Sequence, residues 1–282
     1  MLQEIEPYSF YIEYKGRSAE EQDILLCYRR GAVLYKKTET EEMELPTVAQ
    51  VKEAGKVSDL TDCRYFFSID NIRFFCVIDR EIEEFEEYCY EPINKLRHAV
   101  PMWRAFAAAT GFHIWSWYGK NRFCGGCGKP MVHSEKERAM CCSACGNIVY
   151  PTIAPSVIAA VKDGERLLLT KYQPGHNPYS HYALIAGYVE AGETPEETVK
   201  REVMEEVGLK VKNIQYYKSQ PWSFTGTLLL GFFCEADGNA AVTLDKDELS
   251  EAVWMNREDM PDRSNDISLT SEMMEQFRLG KY

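Results

Sequence analysis

Glu202, Glu205 and Glu206 fall inside one well-marked helix, and this clustering of acids constrains the chain more than any other feature. Thr194 can cap the helix, Pro195 suits its first turn, and Glu197 completes a T-x-x-E capping box. Gly208 suits the left-handed position that ends it. Val199, Val203 and Val207 recur every four residues and predict a core-facing stripe over Pro195 to Val207. At 100° per residue, Glu206 lies about 40° from Glu202, and Glu205 lies about 60° away on the other side. Like charges at these spacings weaken a bare helix by about 0.2–0.5 kcal/mol per pair. A solvated acidic face is the ordinary alternative. Hard oxygen ligands gathered on one rigid face are, however, what Mg²⁺ or Mn²⁺ requires, with diphosphate oxygens completing the shell. Arg201 precedes Glu205 by four residues and can orient its carboxylate.

A second constraint lies upstream. Cys124 and Cys127 form one C-x-x-C pair, and Cys142 and Cys145 form another. Two such pairs on tight turns supply a tetrahedral S4 shell for Zn²⁺, whereas a redox function needs only one pair. Cys141 sits beside Cys142, but only Cys142 gives the C-x-x-C spacing with Cys145. Four thiolates leave no open position, so the predicted zinc is structural. Gly125, Gly126, Gly128 and Gly146 let the backbone turn around the sulfurs.

Composition sets the remaining bounds. The 282 residues are 45% hydrophobic, enough for a packed core, and the formal net charge of −12 argues against non-specific binding to long nucleic acid. It leaves a small anionic substrate open, because bound divalent metal reverses the local sign. The apolar run Leu228 to Phe233 is too short to span a bilayer, and acids precede any apolar block at the amino terminus, so no membrane association and no signal peptide are expected. Ten cysteines without a secretion signal suggest thiols in a reducing, cytoplasmic setting.

The chain reads as three regions: 1–121, 122–150 and 151–282. In the first, Ile24 to Tyr28, Ala32 to Tyr35 and Phe74 to Ile78 are predicted strands, and Pro101 to Tyr118 is a predicted amphipathic helix leading out of it. In the third, Ser156 to Val161 and Arg166 to Thr170 form a hairpin through Asp163-Gly164, and Val211 to Tyr217 and Thr227 to Cys234 are further strands.

The stretch from Gly187 to Leu209 resembles the Nudix box, G-x5-E-x7-R-E-U-x-E-E-x-G-U with U aliphatic. Gly187, Glu193, Arg201, Glu202, Glu205, Glu206 and Gly208 occupy its fixed positions, and Val203 and Leu209 are the aliphatics. The resemblance implies a Nudix α/β/α sandwich with a mixed sheet, an α+β arrangement preceded by a zinc ribbon and a smaller Nudix-like amino-terminal α/β domain. It also implies that Glu202, Glu205 and Glu206 bind catalytic metals, with Arg201 as a further catalytic-site residue. Glu205 is chosen as the base, since the flanking pair is better placed to share metal.

The ribbon just before the Nudix region, and Ser219-Gln220-Pro221-Trp222-Ser223-Phe224 ten residues beyond the box, are similar to the NADH pyrophosphatase family and its SQPWPFPxS motif. Ser223 and Thr225 replace that motif's later prolines, and Gly226 and Thr227 its last two residues. This resemblance implies cleavage of NAD(H) to AMP and the nicotinamide mononucleotide. It implies a backbone-carbonyl metal ligand at Ala186 and an additional metal-binding glutamate at Glu248. Its implied substrate contacts are Arg97, Glu137, Tyr150, Tyr188, Gln220, Pro221, Trp222, Ser223, Phe224, Thr225, Gly226, Thr227 and Thr270. It also implies a homodimer. Other readings are hydrolysis of ADP-ribose or another dinucleotide, removal of the NAD cap from an RNA 5′ end, and a non-enzymatic nucleotide-sensing regulator.

Overall fold

The computed structural model describes residues 1–14, 16–60, 63–174, 181–262 and 266–282. By contacts the chain divides into two units. One holds residues 2–152 with 223–226, and the other holds Met1, 153–222 and 227–282.

In the first unit a four-stranded sheet runs Phe10–Tyr11, Cys63–Ile69, Ile72–Val77, Ile24–Leu26. A second sheet joins Tyr28–Arg29, Ala32–Lys37 and Met43–Glu44, with Cys89–Pro92 alongside Ala32–Lys37. The predicted strand Ile24 to Tyr28 is therefore divided at Cys27, and its halves serve different sheets. Leu25, Leu34, Val48, Val51, Phe75 and Tyr88 close the core between them. The helix predicted from Pro101 runs Met102–Lys120, and it is not amphipathic: Ala105 to Ala109 are all buried, as are Gly111, Ile114, Trp117 and Tyr118. Small residues explain this. At Gly111 a Cβ would collide with Leu26 and the Tyr28 hydroxyl, so the helix lies too close to the sheet to keep a wet side there. The Tyr28 hydroxyl donates to the Ala108 carbonyl at 2.7 Å.

The ribbon lies within this unit as three short antiparallel strands, Val132–His133, Met140–Cys141 and Ile148–Val149.

The second unit is a six-stranded mixed sheet with a helix on each face. Its order is Val211–Trp222, Thr227–Ala236, Ala154–Asp163, Arg166–Tyr172, Leu249–Asn256, and Ile185–Tyr188 pairs with Ala154–Asp163. Ala154–Asp163 runs parallel to Thr227–Ala236 and antiparallel to Arg166–Tyr172, through the hairpin predicted at Asp163-Gly164. Its alternation assigns the two faces. Val157, Ala159 and Val161 pack with Val199, Val203 and Val207 of the helix Pro195–Val207. Ile158 and Ala160 pack with Met273, Met274 and Phe277 of the helix Leu269–Arg278. Successive strand side chains point to opposite faces, so one strand serves both helices. Among the described residues no helix is long and apolar enough to cross a membrane.

Candidate active site

The acidic helix begins with the capping box read from the sequence: Thr194 Oγ1 accepts from the Glu197 amide, and the Glu197 carboxylate accepts from the Thr194 amide at 2.8 Å. It ends at Gly208 with φ +68. Its three valines are fully buried, which fixes the rotation of the helix and hence where each acid points.

That rotation separates the acids into different environments. The Glu205 side chain is 56% exposed, the Glu202 side chain 14%, and Glu206 only 1%. Among the described residues, neither Glu206 oxygen has a hydrogen-bond partner. Burial, together with the charges of Glu248 and Glu202, pushes its carboxyl up to about 9; the Ala186 amide offsets a little of this without a properly formed bond. Burial also raises Glu202. Tyr172, half-buried at the end of the strand Arg166–Tyr172, is raised by burial and by the fields of Glu206, Glu248 and Glu202. Glu248 thus belongs to the same locus, and Tyr172 borders it, a residue with no motif to announce it.

Arg201 is the hub of the outer side. Its Nε and Nη2 hold the Glu193 oxygens at 2.7 and 2.9 Å, Nη1 donates to Glu202 at 2.6 Å and Glu205 at 3.0 Å, and Nη2 also donates to the Tyr188 carbonyl. The pairing with Glu205 is present, but the two-pronged partner is Glu193, whose carboxyl Arg201 pulls down to about 2. Gly187 is needed for a different reason. Any Cβ there would occupy the space of the Glu202 carboxylate. The strand Ile185–Tyr188 is pinned beneath it by Ser156 Oγ, which donates to the Gly187 carbonyl at 2.8 Å.

These carboxylates fit a divalent cation: they are all acids, partly desolvated and, in Glu206, without a properly formed hydrogen bond among the described residues. Their spacing is open. Among the described residues, only the four thiols Cys124, Cys127, Cys142 and Cys145 form a metal-ligating group whose donor atoms all lie within 4.8 Å of one another.

The stretch read as a substrate loop is mostly strand. Gln220, Pro221 and Trp222 pair with Leu229, Leu228 and Thr227, which leaves a four-residue turn at 223–226. Gln220 is fully buried and its amide is taken up internally: Nε2 donates to the Ile267 carbonyl at 2.8 Å, and Oε1 accepts from the Leu269 amide at 2.7 Å. It thereby ties the motif to the start of the helix carrying Thr270. Ser223 and Thr227 are buried, Trp222, Phe224, Gly226 and Thr270 are half-buried, and Pro221, Thr225 and Tyr188 are exposed. Gln220→Ala should cost about 2–4 kcal/mol of stability, since a buried N–H and a buried C=O both lose their partner. Chemical denaturation measures this, and an unchanged midpoint would show that water replaces the amide.

Glu137, Tyr150 and Arg97 belong to the first unit. The Tyr150 hydroxyl donates to Glu137 Oε1 at 3.0 Å, and Arg97 lies half-buried in the 3₁₀ turn Ile93–His98.

In the ribbon, Cys124 to Cys145 sulfur separation is 3.6 Å and Cys127 to Cys142 is 3.5 Å. A tetrahedral ZnS4 shell with bonds of about 2.3 Å requires about 3.8 Å between sulfurs, so the cage fits zinc. The two knuckles repeat one geometry: Gly128 donates to the Cys124 carbonyl and Gly146 to the Cys142 carbonyl, with φ of +72 and +77. Backbone amides of Cys127 and Gly126 pull the Cys124 thiol down to about 6, favouring the thiolate. Cys141 lies outside this cluster, in a strand between Val132 and Ile148. Cys127→Ser should remove nearly all bound zinc and lower the melting temperature by several degrees. Metal analysis with a thermal scan checks it, and unchanged zinc would contradict the ligand set.

Residues 152–277 match the family described as NUDIX domain, and residues 120–150 match the NADH pyrophosphatase zinc ribbon domain. The chain is 42% identical over 154 residues to the NAD-capped RNA hydrolase NudC of Citrobacter koseri and to that of Salmonella typhi. Each alignment covers 55% of this chain and 59% of the relative, so the chain spans somewhat over half the length of these relatives. A NUDIX hydrolase crystal structure from Nitrosomonas europaea is similar over 57% of this chain and 92% of that one, at 19% identity and a TM-score of 0.49. Residues 120–150 are therefore similar to the NADH pyrophosphatase zinc ribbon domain, and residues 152–277, which follow them, to the NUDIX domain.

Proposed function

We propose that this protein hydrolyses the diphosphate bond of NAD(H), giving AMP and the nicotinamide mononucleotide, with Mg²⁺ or Mn²⁺ at the acidic helix. The observation that carries this is Glu206: an acid 1% exposed, with both oxygens unpartnered among the described residues and Glu248 and Glu202 adding to the rise in its pKa. An isolated anion there is costly, and a divalent cation removes the cost. When bound, such a cation supplies charge neutralisation for the diphosphate and lowers the pKa of a coordinated water.

The chain's own residues do the rest. Glu202, Glu206 and Glu248 would hold the cation, with the Ala186 carbonyl as a further proposed ligand. Arg201 orients Glu202 and Glu205 through its grip on Glu193. Glu205 is the most exposed of the three helix acids and already carries a hydrogen bond from Arg201, which suits it to hold a water and take its proton. The aromatic rings of Tyr188, Trp222 and Phe224 offer faces for a base or nicotinamide, worth about 1–3 kcal/mol per stacked ring. Pro221, Ser223, Thr225, Gly226 and Thr227 shape the hairpin turn, and Glu137, Tyr150, Arg97 and Thr270 complete the proposed contacts. The reading includes a homodimer in the cytoplasm.

A second reading, removal of the NAD cap from an RNA 5′ end, is favoured by the relatives' name. It requires only that the terminal dinucleotide enter. The deciding experiment ranks kcat/KM for NADH, NAD⁺, ADP-ribose, diadenosine polyphosphates and NAD-capped RNA with Mg²⁺ or Mn²⁺. Highest efficiency with free NAD(H) supports the proposal. Highest efficiency with capped RNA selects the second reading, and no turnover of any of them defeats both.

A further inference from the structure

The first unit carries an open pocket of about 670 Å³ that the proposed reaction does not use. Its inner wall carries Tyr118, buried in the long helix, and His133 of the ribbon, with ring centroids 4.9 Å apart. His133 Nδ1 is buried and meets no hydrogen-bond partner among the described residues. Arg64, half-buried on the strand Cys63–Ile69, lines the same space and acts electrostatically on both rings. Arg122 is exposed and, among the described residues, its guanidinium makes one long 3.4 Å bond, to the Ile78 carbonyl; the exposed acids Asp79 and Glu135 also line the pocket.

We infer that this pocket is a mononucleotide site, distinct from the acidic helix, that holds a phosphomonoester between Arg64 and Arg122. Guanidinium forks match phosphate oxygens, and among the described residues neither arginine forms an ion pair with a carboxylate. The volume exceeds what a bare anion fills and lies within the range of small-molecule pockets. His133, backed by the buried Tyr118 ring, provides a surface for a base, and its Nδ1 is a polar atom without a partner among the described residues. Asp79 and Glu135 suit the neutral donors that a nucleotide also carries, its ribose hydroxyls and exocyclic amine.

This inference stands independently of the hydrolytic reading. The test is calorimetric titration of the zinc-loaded full chain with AMP, without added Mg²⁺. The same titration is run on Arg64→Gln, Arg122→Gln and a Glu202→Gln/Glu206→Gln double variant, with inorganic phosphate as a second probe. AMP should bind the wild type and the double variant alike, weaken about tenfold or more in each arginine variant, and bind better than phosphate. Arg122 is exposed, so its variant keeps the test valid if Arg64→Gln fails to fold. AMP affinity unchanged by Arg122→Gln, or lost in the double glutamine variant, would overturn the site, as would no binding at about 1 mM.

Discussion

Glu206→Gln should reduce turnover by about a hundredfold or more while making the metal-free protein more stable at pH 8. The two effects share one cause. In the folded chain the Glu206 carboxyl is pushed up to about 9 from an ordinary 4.5 by burial and by Glu248 and Glu202. A carboxyl with a raised folded pKa contributes stability that is fully present below about 4.5 and lost as pH rises toward about 9. Metal-free wild type at pH 8 has lost most of that contribution. Glutamine does not titrate, so the variant should gain about 1–3 kcal/mol there, read as a higher melting temperature in chelator too weak to strip the ribbon. Activity should fall because glutamine supplies no negative charge to a cation, about 3 kcal/mol in barrier. The linkage also has a direction in the wild type: added Mg²⁺ should raise the melting temperature more at pH 8.5 than at pH 6, since the site must be deprotonated to bind. Equal Mg²⁺ shifts at both pH values, or a Glu206→Gln protein that is less stable at pH 8, would be incompatible with an unpaired buried acid.

Gly187→Ala should be nearly as damaging to activity with little effect on folding. The added methyl would take the place of the Glu202 carboxylate, while the Gly187 backbone, outside the positive-φ set, tolerates alanine. Glu202 is also held by Arg201 at 2.6 Å, so displacement would strain that bond as well. A misplacement of about 1 Å at a reacting centre costs about a hundredfold in rate. The expected signature is a large rise in the Mg²⁺ concentration needed for half-maximal activity, together with a depressed kcat. Gly187→Ala with wild-type metal dependence would mean that Glu202 does not depend on this approach.

Much of this arrangement is legible in the sequence. The acidic helix carries its own start and stop signals, Thr194, Pro195, Glu197 and Gly208, all local in sequence, and the structure forms it at Pro195–Val207. The paired C-x-x-C turns are equally local, and their sulfurs converge as the spacing requires. Where the reading faltered, distant partners decided. Gln220 looked like a loop residue but pairs in a strand and bonds to residues 47 and 49 positions away. The long helix Met102–Lys120 looked one-sided until Gly111 brought it against Leu26 and Tyr28.

Sequence by itself determined which side chains share the helix arc and which thiols share a cage, because helical and knuckle geometry act over a few residues. Only the tertiary structure decided that Glu206 is buried and without a hydrogen-bond partner among the described residues, that Glu205 faces solvent, that Glu193 is the chief partner of Arg201, and that Tyr172 borders the locus. The reason is physical: desolvation and long-range charge depend on what packs around a group, and packing is a property of the folded chain.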